Sequence, residues 1–488
     1  MIFNSVTYLV FLALVVCLFW ALPKHARLWT IFLSSLTFYG FWRPEFLVVM
    51  LVSAGTDFIV ARKIEASEDA RTRWHLLLLS LSVNLGLLFY FKYLFFFLDN
   101  AVSTLHLLGF DDFQGPVLNI VLPLGISFYT FQTISYTVDV YRKVIPAEKN
   151  FILYGCFVTF FPQLVAGPIL RGSELLNQIA AKPVFHLDTF VSGLRRIIFG
   201  LFLKVVLADN ISPLVDSGFD QPVTNLSAID VFTLAFLFGF QIYFDFSAYS
   251  HIAIGSSRLM GISFQENFNF PYLANSPREF WRRWHISLSS WIRDYLYLPL
   301  LGVKVRDRSV GGLTEITVSG NKNLRHPLIA LLLTWVIMGF WHGANWTFLI
   351  WGLLHASYIS VYRLIGAPLS ALPKYINLIG GWLITLPLVM LAWIPFRAES
   401  LETTFKMYQK LVLPHEWLYL GMRENIYIFA AILLISILGS YIVHAYVIQW
   451  LRVRVALSFI CDFFLMTITI ALVFVFLRPI SQFIYFQF

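Results

Sequence analysis

Apolar runs separated by short polar linkers fill this chain from residue 2 to its C-terminal end. A helix needs about 20 mostly apolar residues to cross a bilayer, so runs of this length predict spanning helices. The first four predicted helices cover 2–22, 28–42, 46–61 and 75–98. Later apolar segments cover 151–165, 190–208, 229–254, 328–340, 348–362, 376–394, 426–447 and 456–476. The pattern therefore predicts an all-α polytopic membrane protein with about eleven to thirteen transmembrane or re-entrant helices.

Several later segments are short, and Gly, Pro and polar residues interrupt them. Irregular backbone is tolerated at membrane depth where it packs against protein or lines a cavity, so we expect re-entrant or tilted pieces around one. The longest polar stretches, 170–188 and 302–326, are too short to bury a core of their own. We therefore expect a single membrane domain over 1–488.

Composition and charge support a membrane location. Hydrophobic residues make up 58% of the chain and charged residues 13%, unlike an ordinary soluble protein. The linker 62–73 carries four basic residues and the loop 99–115 carries none. By the positive-inside rule the N-terminus lies outside and 62–73 lies in the cytoplasm, and the basic loop 142–149 fits this orientation. The first helix lacks a basic leader and a cleavage site, so we expect it to be retained. The net charge of +8 suits anionic lipid and requires no nucleic acid.

One histidine ends an apolar run, in Gly339-Phe340-Trp341-His342-Gly343-Ala344-Asn345-Trp346. An ionisable group inside a membrane segment is a functional-site hypothesis by default. Neutral imidazole accepts a proton near neutral pH, and flanking glycines allow close approach of backbone or substrate. His342 is therefore a candidate general base; the alternative is a hydrogen bond from His342 to a neighbouring helix.

The segment 279–295 predicts an amphipathic helix at an interface. Its aromatic residues and His285 share one face, and Arg282, Ser289 and Arg293 share another. Tryptophans and arginines in this pattern often only anchor a helix at the headgroups. In the functional alternative, the planar guanidinium groups of Arg282, Arg283 and Arg293 hold a phosphorylated ligand at the cytoplasmic mouth while His285 turns toward His342.

Asp245 and His251 interrupt another apolar run. They could line a water-filled path or form a buried ion pair or hydrogen-bond network. The three cysteines Cys17, Cys156 and Cys461 each lie in an apolar run, and their spacing predicts neither a metal site nor a disulfide framework. An apolar setting also makes a thiol unreactive, which argues against a cysteine nucleophile.

Several motifs, in one order along nearly the whole chain, resemble the membrane-bound O-acyltransferase family and most closely its bacterial alginate O-acetyltransferase branch. They are Leu122-Pro123-Leu124-Gly125-Ile126-Ser127-Phe128-Tyr129, Ala166-Gly167-Pro168-Ile169, Tyr243-Phe244-Asp245-Phe246-Ser247, Glu266-Asn267-Phe268, Phe280-Trp281-Arg282-Arg283-Trp284-His285-Ile286-Ser287-Leu288, Trp341-His342-Gly343 and the terminal Phe483-Ile484-Tyr485-Phe486-Gln487-Phe488.

This resemblance implies a helical membrane fold around a tunnel, with His342 as the catalytic residue and His285 as the second family histidine. It also implies that an acetyl group is taken from cytoplasmic acetyl-CoA, with no tightly bound cofactor, and delivered toward the outer face of a bacterial inner membrane. A periplasmic acetyltransferase partner commonly completes transfer to a glycan. Two features depart from the branch: His251 stands where an Asp is frequent, and a glycine-rich stretch around Gly311, Gly312 and Gly320 could alter access.

The chemistry expected from these residues is acyl transfer from a thioester to an oxygen nucleophile. His342 acts as general base; an acyl-histidine is an alternative. His285 orients a substrate or polarises the developing oxyanion. Further candidates for substrate or donor binding, with no metal site among them, are Arg282, Arg283, Trp284, Arg293, Asp245, Asn345 and Trp341.

The acceptor stays open between an alginate-like exopolysaccharide, which the branch favours, peptidoglycan and cellulose, with D-alanine transfer to teichoic acid less favoured. A hypothesis of another class is a proton-coupled transporter or lipid flippase that uses Asp245, His251 and His342 as a path. The halves of the chain share no repeated motif, which makes a transporter less favoured. A third hypothesis is an inactive subunit that holds a secreted transferase at the membrane.

Overall fold

The computed structural model describes residues 1–112, 115–116, 118, 120–165, 167–181, 183–303, 326–370, 373–443, 455–479 and 483–484, and over these ranges it contains helices and no strand. In chain order the helices are α1 (Val6–Ala21), α2 (Lys24–Gly40), α3 (Phe46–Ala66), α4 (Ala70–Leu88), α5 (Leu94–Leu107), α6 (Ile126–Tyr141), α7 (Phe151–Thr159), α8 (Gly172–Ala180), α9 (Leu187–Leu201), α10 (Asp209–Phe219), α11 (Ala228–Leu259), α12 (Pro277–Arg283), α13 (Ile286–Ile292), α14 (Leu298–Leu300), α15 (Pro327–His342), α16 (Trp346–Ser370), α17 (Lys374–Arg397), α18 (Leu401–Val412), α19 (Glu424–Ile442) and α20 (Val455–Val475).

The apolar helices confirm the predicted all-α polytopic membrane fold. Within the described ranges five helical stretches are long and apolar enough to cross a membrane: Ala70–Leu107, Leu187–Phe219, Ala228–Leu259, Trp346–Ile365 and Tyr375–Arg397. Four shorter apolar helices accompany them: Val6–Ala21, Pro327–His342, Glu424–Gly439 and Ile460–Val475. In the part of the chain that the structure describes, π-helical turns at Phe89–Tyr93, Phe202–Ala208 and Arg293–Tyr297 join α4 to α5, α9 to α10 and α13 to α14. The single-domain boundary 1–488 stays a prediction.

Helix α6 is missing from the helices that the apolar runs predict. Its sequence mixes Ser, Thr, Gln and Asp with aromatic residues, and yet most of its side chains are buried. Its polar groups find partners on neighbouring helices: Gln132 Nε2 donates to the Phe157 carbonyl at 2.5 Å, and Thr133 Oγ1 donates to Asn84 Oδ1 at 3.1 Å. Hydrogen bonding of this kind lets a polar helix lie in the core, which hydropathy along the chain does not reveal.

The prediction of one amphipathic helix over 279–295 is wrong. The chain forms α12, passes through an extended Trp284 and a left-handed His285 (φ 42°), and continues as α13. Backbone bonds from the 267–269 segment hold both sides of the break: the Asn269 N–H donates to the Arg283 carbonyl, and the Ile286 N–H donates to the Asn267 carbonyl, each at 2.9 Å. The aromatic face of the segment is buried in protein, so it does not lie at a lipid interface.

Helices α9 and α11 pack with their backbones in close approach. A Cβ at Gly200 of α9 would collide with the Ala248 carbonyl oxygen and the Ile252 side chain of α11. Small residues permit this kind of contact between membrane helices, where van der Waals packing drives association.

We predict that Gly200→Ala lowers stability, because overpacking a close contact typically costs about 1–3 kcal/mol. Gly380→Ala in α17 is the matched control, since a Cβ there would meet no atom within 4 Å. That change should leave stability equal or raise it by up to about 1 kcal/mol through helix propensity. Thermal unfolding of the detergent-solubilised variants measures both. Equal melting temperatures for the two variants would contradict the packing described for α9 and α11.

Candidate active site

His342 is the last residue of α15, and its side chain is buried. The last carbonyl groups of a helix lack partners within the helix and must be satisfied from elsewhere. The Tyr93 hydroxyl donates to the Phe340 carbonyl at 3.0 Å, and Lys92 Nζ donates to the carbonyls of Trp341 at 2.6 Å and His342 at 3.0 Å. Two neighbouring side chains of a π-helical turn thus fix the backbone that carries the histidine.

The glycines around His342 bring α15 and α16 together. A Cβ at Gly339 would collide with the Phe348 carbonyl oxygen of α16, and a Cβ at Gly352 would collide with the Trp335 carbonyl oxygen of α15. The glycines here do permit a close approach, as the sequence predicts, and what approaches them is the backbone of the neighbouring helix. Asn345, a predicted substrate contact, holds the turn between these helices: its Oδ1 accepts from the Thr347 N–H at 3.0 Å.

Aromatic rings surround the His342 imidazole. Ring centroids lie 4.9 Å away for Trp341, 4.8 Å for Trp351 and 5.2 Å for Phe396. Trp341 in turn stacks on Phe131 at 5.1 Å, so its indole has a fixed place beside the imidazole. These ring contacts hold the imidazole in one orientation.

His285 is fully buried, and Asn267 of the Glu266-Asn267-Phe268 motif orients it. Asn267 Oδ1 accepts from the Ser287 N–H at 3.2 Å and from Ser287 Oγ at 2.9 Å, and it lies 3.2 Å from His285 Nδ1. Because a backbone N–H can only donate, the amide oxygen faces this cluster, and His285 Nδ1 must be the donor. The ring therefore presents Nε2 as a hydrogen-bond acceptor.

Two cavities border α15. The first, which we call the His342 cavity, has a volume of about 270 Å³, and its walls include Lys92, Ser127, Phe128, Trp341 and His342. The second, the arginine cavity, has a volume of about 640 Å³, and its walls include Arg278, Arg293, Arg363, Trp335 and Met338. Met338 and His342 are one turn apart on α15, so a single helix separates and lines both spaces.

Contacts with the loops relate these cavities to the predicted orientation. Near the His342 end, Trp346 Nε1 donates to Asn100 Oδ1 at 2.8 Å, at the start of the loop predicted to lie outside. Near the arginine cavity, an Arg142 guanidinium nitrogen donates to the Asp294 carbonyl at 3.3 Å, and Arg142 begins a loop predicted to be cytoplasmic. Under the positive-inside prediction, the arginine cavity faces the cytoplasm and the His342 cavity faces the outside.

The predicted arginines have different surroundings. Arg293 lines the arginine cavity and pairs with Asp294 at 2.7 Å. Arg283 pairs with Glu279 at 2.6 Å, and Arg282 is exposed on α12; neither is among the lining residues of the two cavities. Arg278 and Arg363, which sequence reasoning missed, also line the arginine cavity.

The remaining predicted residues lie away from both cavities. Trp284 is 1% exposed and packs against Phe268 and Trp393, each at 5.1 Å between ring centroids. Asp245 is ion-paired with Lys204 at 2.6 Å and accepts from the Ile484 N–H at 2.7 Å, so it anchors the C-terminal segment. These contacts agree with the buried ion pair that was the structural alternative for Asp245.

His251 Nδ1 lies 2.8 Å from an Arg196 guanidinium nitrogen in a partly buried position, which agrees with a hydrogen-bond network at His251. The glycine-rich stretch around Gly311, Gly312 and Gly320 lies outside the described residues, as do Ala166 and residues 485–488 of the quoted motifs.

Lys92 is the site residue that sequence reasoning missed most clearly. It is a single charge in the aromatic run Phe89-Tyr90-Phe91-Lys92-Tyr93. The rule that intramembrane ionisable groups mark functional sites would have found it.

The chain is similar to proteins of known class. The model of the membrane-bound O-acyltransferase family matches residues 5–311. A probable alginate O-acetylase AlgI of Azotobacter vinelandii is 38% identical over 423 residues, which cover 86% of this chain and 79% of that protein. A peptidoglycan O-acetyltransferase of Helicobacter pylori is 38% identical over 416 residues, covering 80% and 74%. A teichoic acid D-alanyltransferase of Streptococcus thermophilus is 31% identical over 242 residues, covering 48% and 54%.

We predict that Lys92→Met lowers kcat by about a hundredfold, because a displacement of about 1 Å at a reacting group can reduce the rate by that factor. Lys406→Met, which removes a lysine with a 56% exposed side chain, is the matched control and should keep the wild-type kcat. The rate of acyl transfer by both purified variants measures the effect. A Lys92 variant with wild-type kcat would contradict a role in holding His342.

Proposed function

Because this chain belongs to the membrane-bound O-acyltransferase family and is an acyltransferase, we propose that it moves acetyl groups from cytoplasmic acetyl-CoA to hydroxyls of an extracytoplasmic polysaccharide. The observation that carries this proposal is the position of His342 on a helix that lines two cavities of different chemistry. One reacting histidine between two spaces suits a reaction whose donor and acceptor come from opposite sides of a membrane.

Arginine side chains support the choice of donor. Arg278, Arg293 and Arg363 present three guanidinium groups to one cavity, and guanidinium donors match the geometry of phosphate oxygens. Coenzyme A carries phosphates at the end remote from its thioester, so the charged end can lie at the arginines while the acyl group extends toward His342. The volume of about 640 Å³ is within the usual range of ligand pockets.

The relatives support a polysaccharide acceptor. The Azotobacter protein is named for alginate and the Helicobacter protein for peptidoglycan. An alginate-like exopolysaccharide is therefore favoured for this chain, with peptidoglycan or cellulose as alternatives that use the same chemistry. A periplasmic acetyltransferase partner would complete the transfer, and the protein would lie in a bacterial inner membrane with its N-terminus in the periplasm. Family membership makes acyl transfer a better hypothesis than a transporter or a scaffold.

His342 acts in this proposal as general base. It takes the proton of the acceptor hydroxyl as the hydroxyl oxygen attacks the thioester carbonyl carbon, and a C–O bond forms. The tetrahedral intermediate then expels the thiolate as the C–S bond breaks, and the thiolate recovers the proton from His342. His285 presents an accepting Nε2, so it suits orienting a hydroxyl better than donating to an oxyanion.

We predict that His342→Ala lowers acetyl transfer by about 10²- to 10⁴-fold, because this is the usual contribution of a positioned general base. Release of free CoA from acetyl-CoA by the purified protein in detergent, with and without a short glycan, measures the reaction. His415→Ala is the matched control, since its side chain is 69% exposed, and it should behave as wild type. A fully active His342 variant would exclude the base assignment, and a wild type without turnover would favour a transporter or scaffold.

We further predict that Arg363→Ala raises the KM for acetyl-CoA about tenfold with little change in kcat, because a guanidinium remote from the reacting atoms contributes uniform binding of about 1.5 kcal/mol or more. Arg282→Ala removes the same group from the exposed side of α12 and serves as the comparison. If Arg282→Ala raises the KM as much as Arg363→Ala or more, the phosphates of acetyl-CoA bind at α12 and not in the arginine cavity.

A further inference from the structure

Helix α16 presents Trp351 and His355 on one face, one turn apart. Trp351 is 0% exposed and His355 is 1% exposed. The Trp351 ring lies 4.8 Å from the His342 ring and 4.9 Å from the His355 ring, measured between centroids. The next residues on this face, Ile359 and Arg363, line the arginine cavity. The pair therefore lies between that cavity and His342.

Each of the two side chains has a buried N–H group without an acceptor in the described part of the chain. The indole nitrogen of Trp351 can only donate, and it has no partner there. His355 Nδ1 accepts from Trp281 Nε1 at 3.3 Å, so the proton of the neutral ring is on Nε2. Nε2 also has no partner among the described residues. Two donors on adjacent, fully buried rings are thus left without an acceptor among the described residues.

Buried donors of this kind are normally hydrogen-bonded, and an exception calls for an explanation. A donor accelerates a reaction when it is unpaired in the resting protein and hydrogen-bonded in the transition state. Such a donor stabilises charge that develops only during the reaction. The His355 ring also stacks on Trp335 at 5.3 Å and meets Trp281 edge-on at 5.0 Å, and these contacts fix its orientation. A fixed donor requires no reorganisation when charge appears.

We propose that Trp351 Nε1–H and His355 Nε2–H form the oxyanion site for the acyl donor, an inference that depends on the proposed acyl transfer. As the acceptor oxygen bonds to the thioester carbon, its proton passes to His342 and the carbonyl π pair moves onto the carbonyl oxygen. That oxygen accepts hydrogen bonds from the two N–H groups. The intermediate collapses when the pair returns, the C–S bond breaks, and the thiolate takes the proton from His342.

The first test is Trp351→Phe, which keeps an aromatic ring and removes the N–H. We expect kcat to fall by about 10²- to 10³-fold, the usual effect of losing one oxyanion donor, while the KM for acetyl-CoA changes little. The smaller ring leaves a cavity at this buried position, so the melting temperature should fall, but the variant loses no hydrogen bond of the resting protein. His355→Phe should lower kcat in the same way, and His355→Gln should lose less activity because its amide retains a donor.

Trp382→Phe is the matched control, because Trp382 Nε1 has a partner and donates to the Tyr272 carbonyl at 2.9 Å. This variant should lose thermal stability and yet keep its kcat, which separates a loss of stability from the loss of kcat expected for Trp351→Phe. A wild-type kcat in both Trp351→Phe and His355→Phe, beside an inactive His342→Ala, would overturn the oxyanion site alone. A wild type that releases no CoA would overturn the proposed function and this inference with it.

Discussion

A helix that ends inside a protein leaves carbonyl groups that water cannot reach, and the end of α15 is where this constraint shapes the site. Unsatisfied backbone groups are expensive in an apolar setting, so spanning segments bury their ends only with partners from elsewhere. Here Lys92 and Tyr93 supply those partners for the last three carbonyls of α15. Both come from a π-helical turn, a feature frequent at functional sites. The hydrogen bonds that complete the helix thereby also fix His342.

Most of the remaining organisation comes from aromatic packing. The rings of Trp341, Phe131 and Trp291 stack in one series, with Phe131 and Trp291 3.9 Å apart and nearly parallel. This series connects α15, α6 and α13, so the two histidine-bearing segments rest on a common support. Rings supply large contact areas with few rotatable bonds, which makes the support stiff. In such an interior the few polar groups interact strongly because little solvent screens them.

Two buried ion pairs fix the positions of further chain segments. Arg171 and Asp294 pair at 2.5 Å with both side chains almost fully buried, and Asp294 also binds the exposed Arg293. The pair therefore ties the arginine cavity to the segment after the 160–170 turn. The Lys204 and Asp245 pair likewise holds Phe483 and Ile484 in place. The Lys204 ammonium lies over the Phe483 ring, and Asp245 accepts from the Ile484 N–H.

The sequence by itself determined the all-α membrane class and the family, and it predicted His342 as the general base, because hydropathy and motifs are properties of neighbouring residues. The course of 279–295 and the buried α6 could not be predicted, since a local pattern does not show that the 267–269 backbone pairs with the break or that Asn84 and Phe157 satisfy α6. The tertiary structure alone decided which arginines share a cavity, which nitrogen of His285 carries its proton, and that Lys92 holds His342 across some 250 residues of chain. Those outcomes depend on contacts between residues far apart in sequence, and no pattern along the chain encodes them.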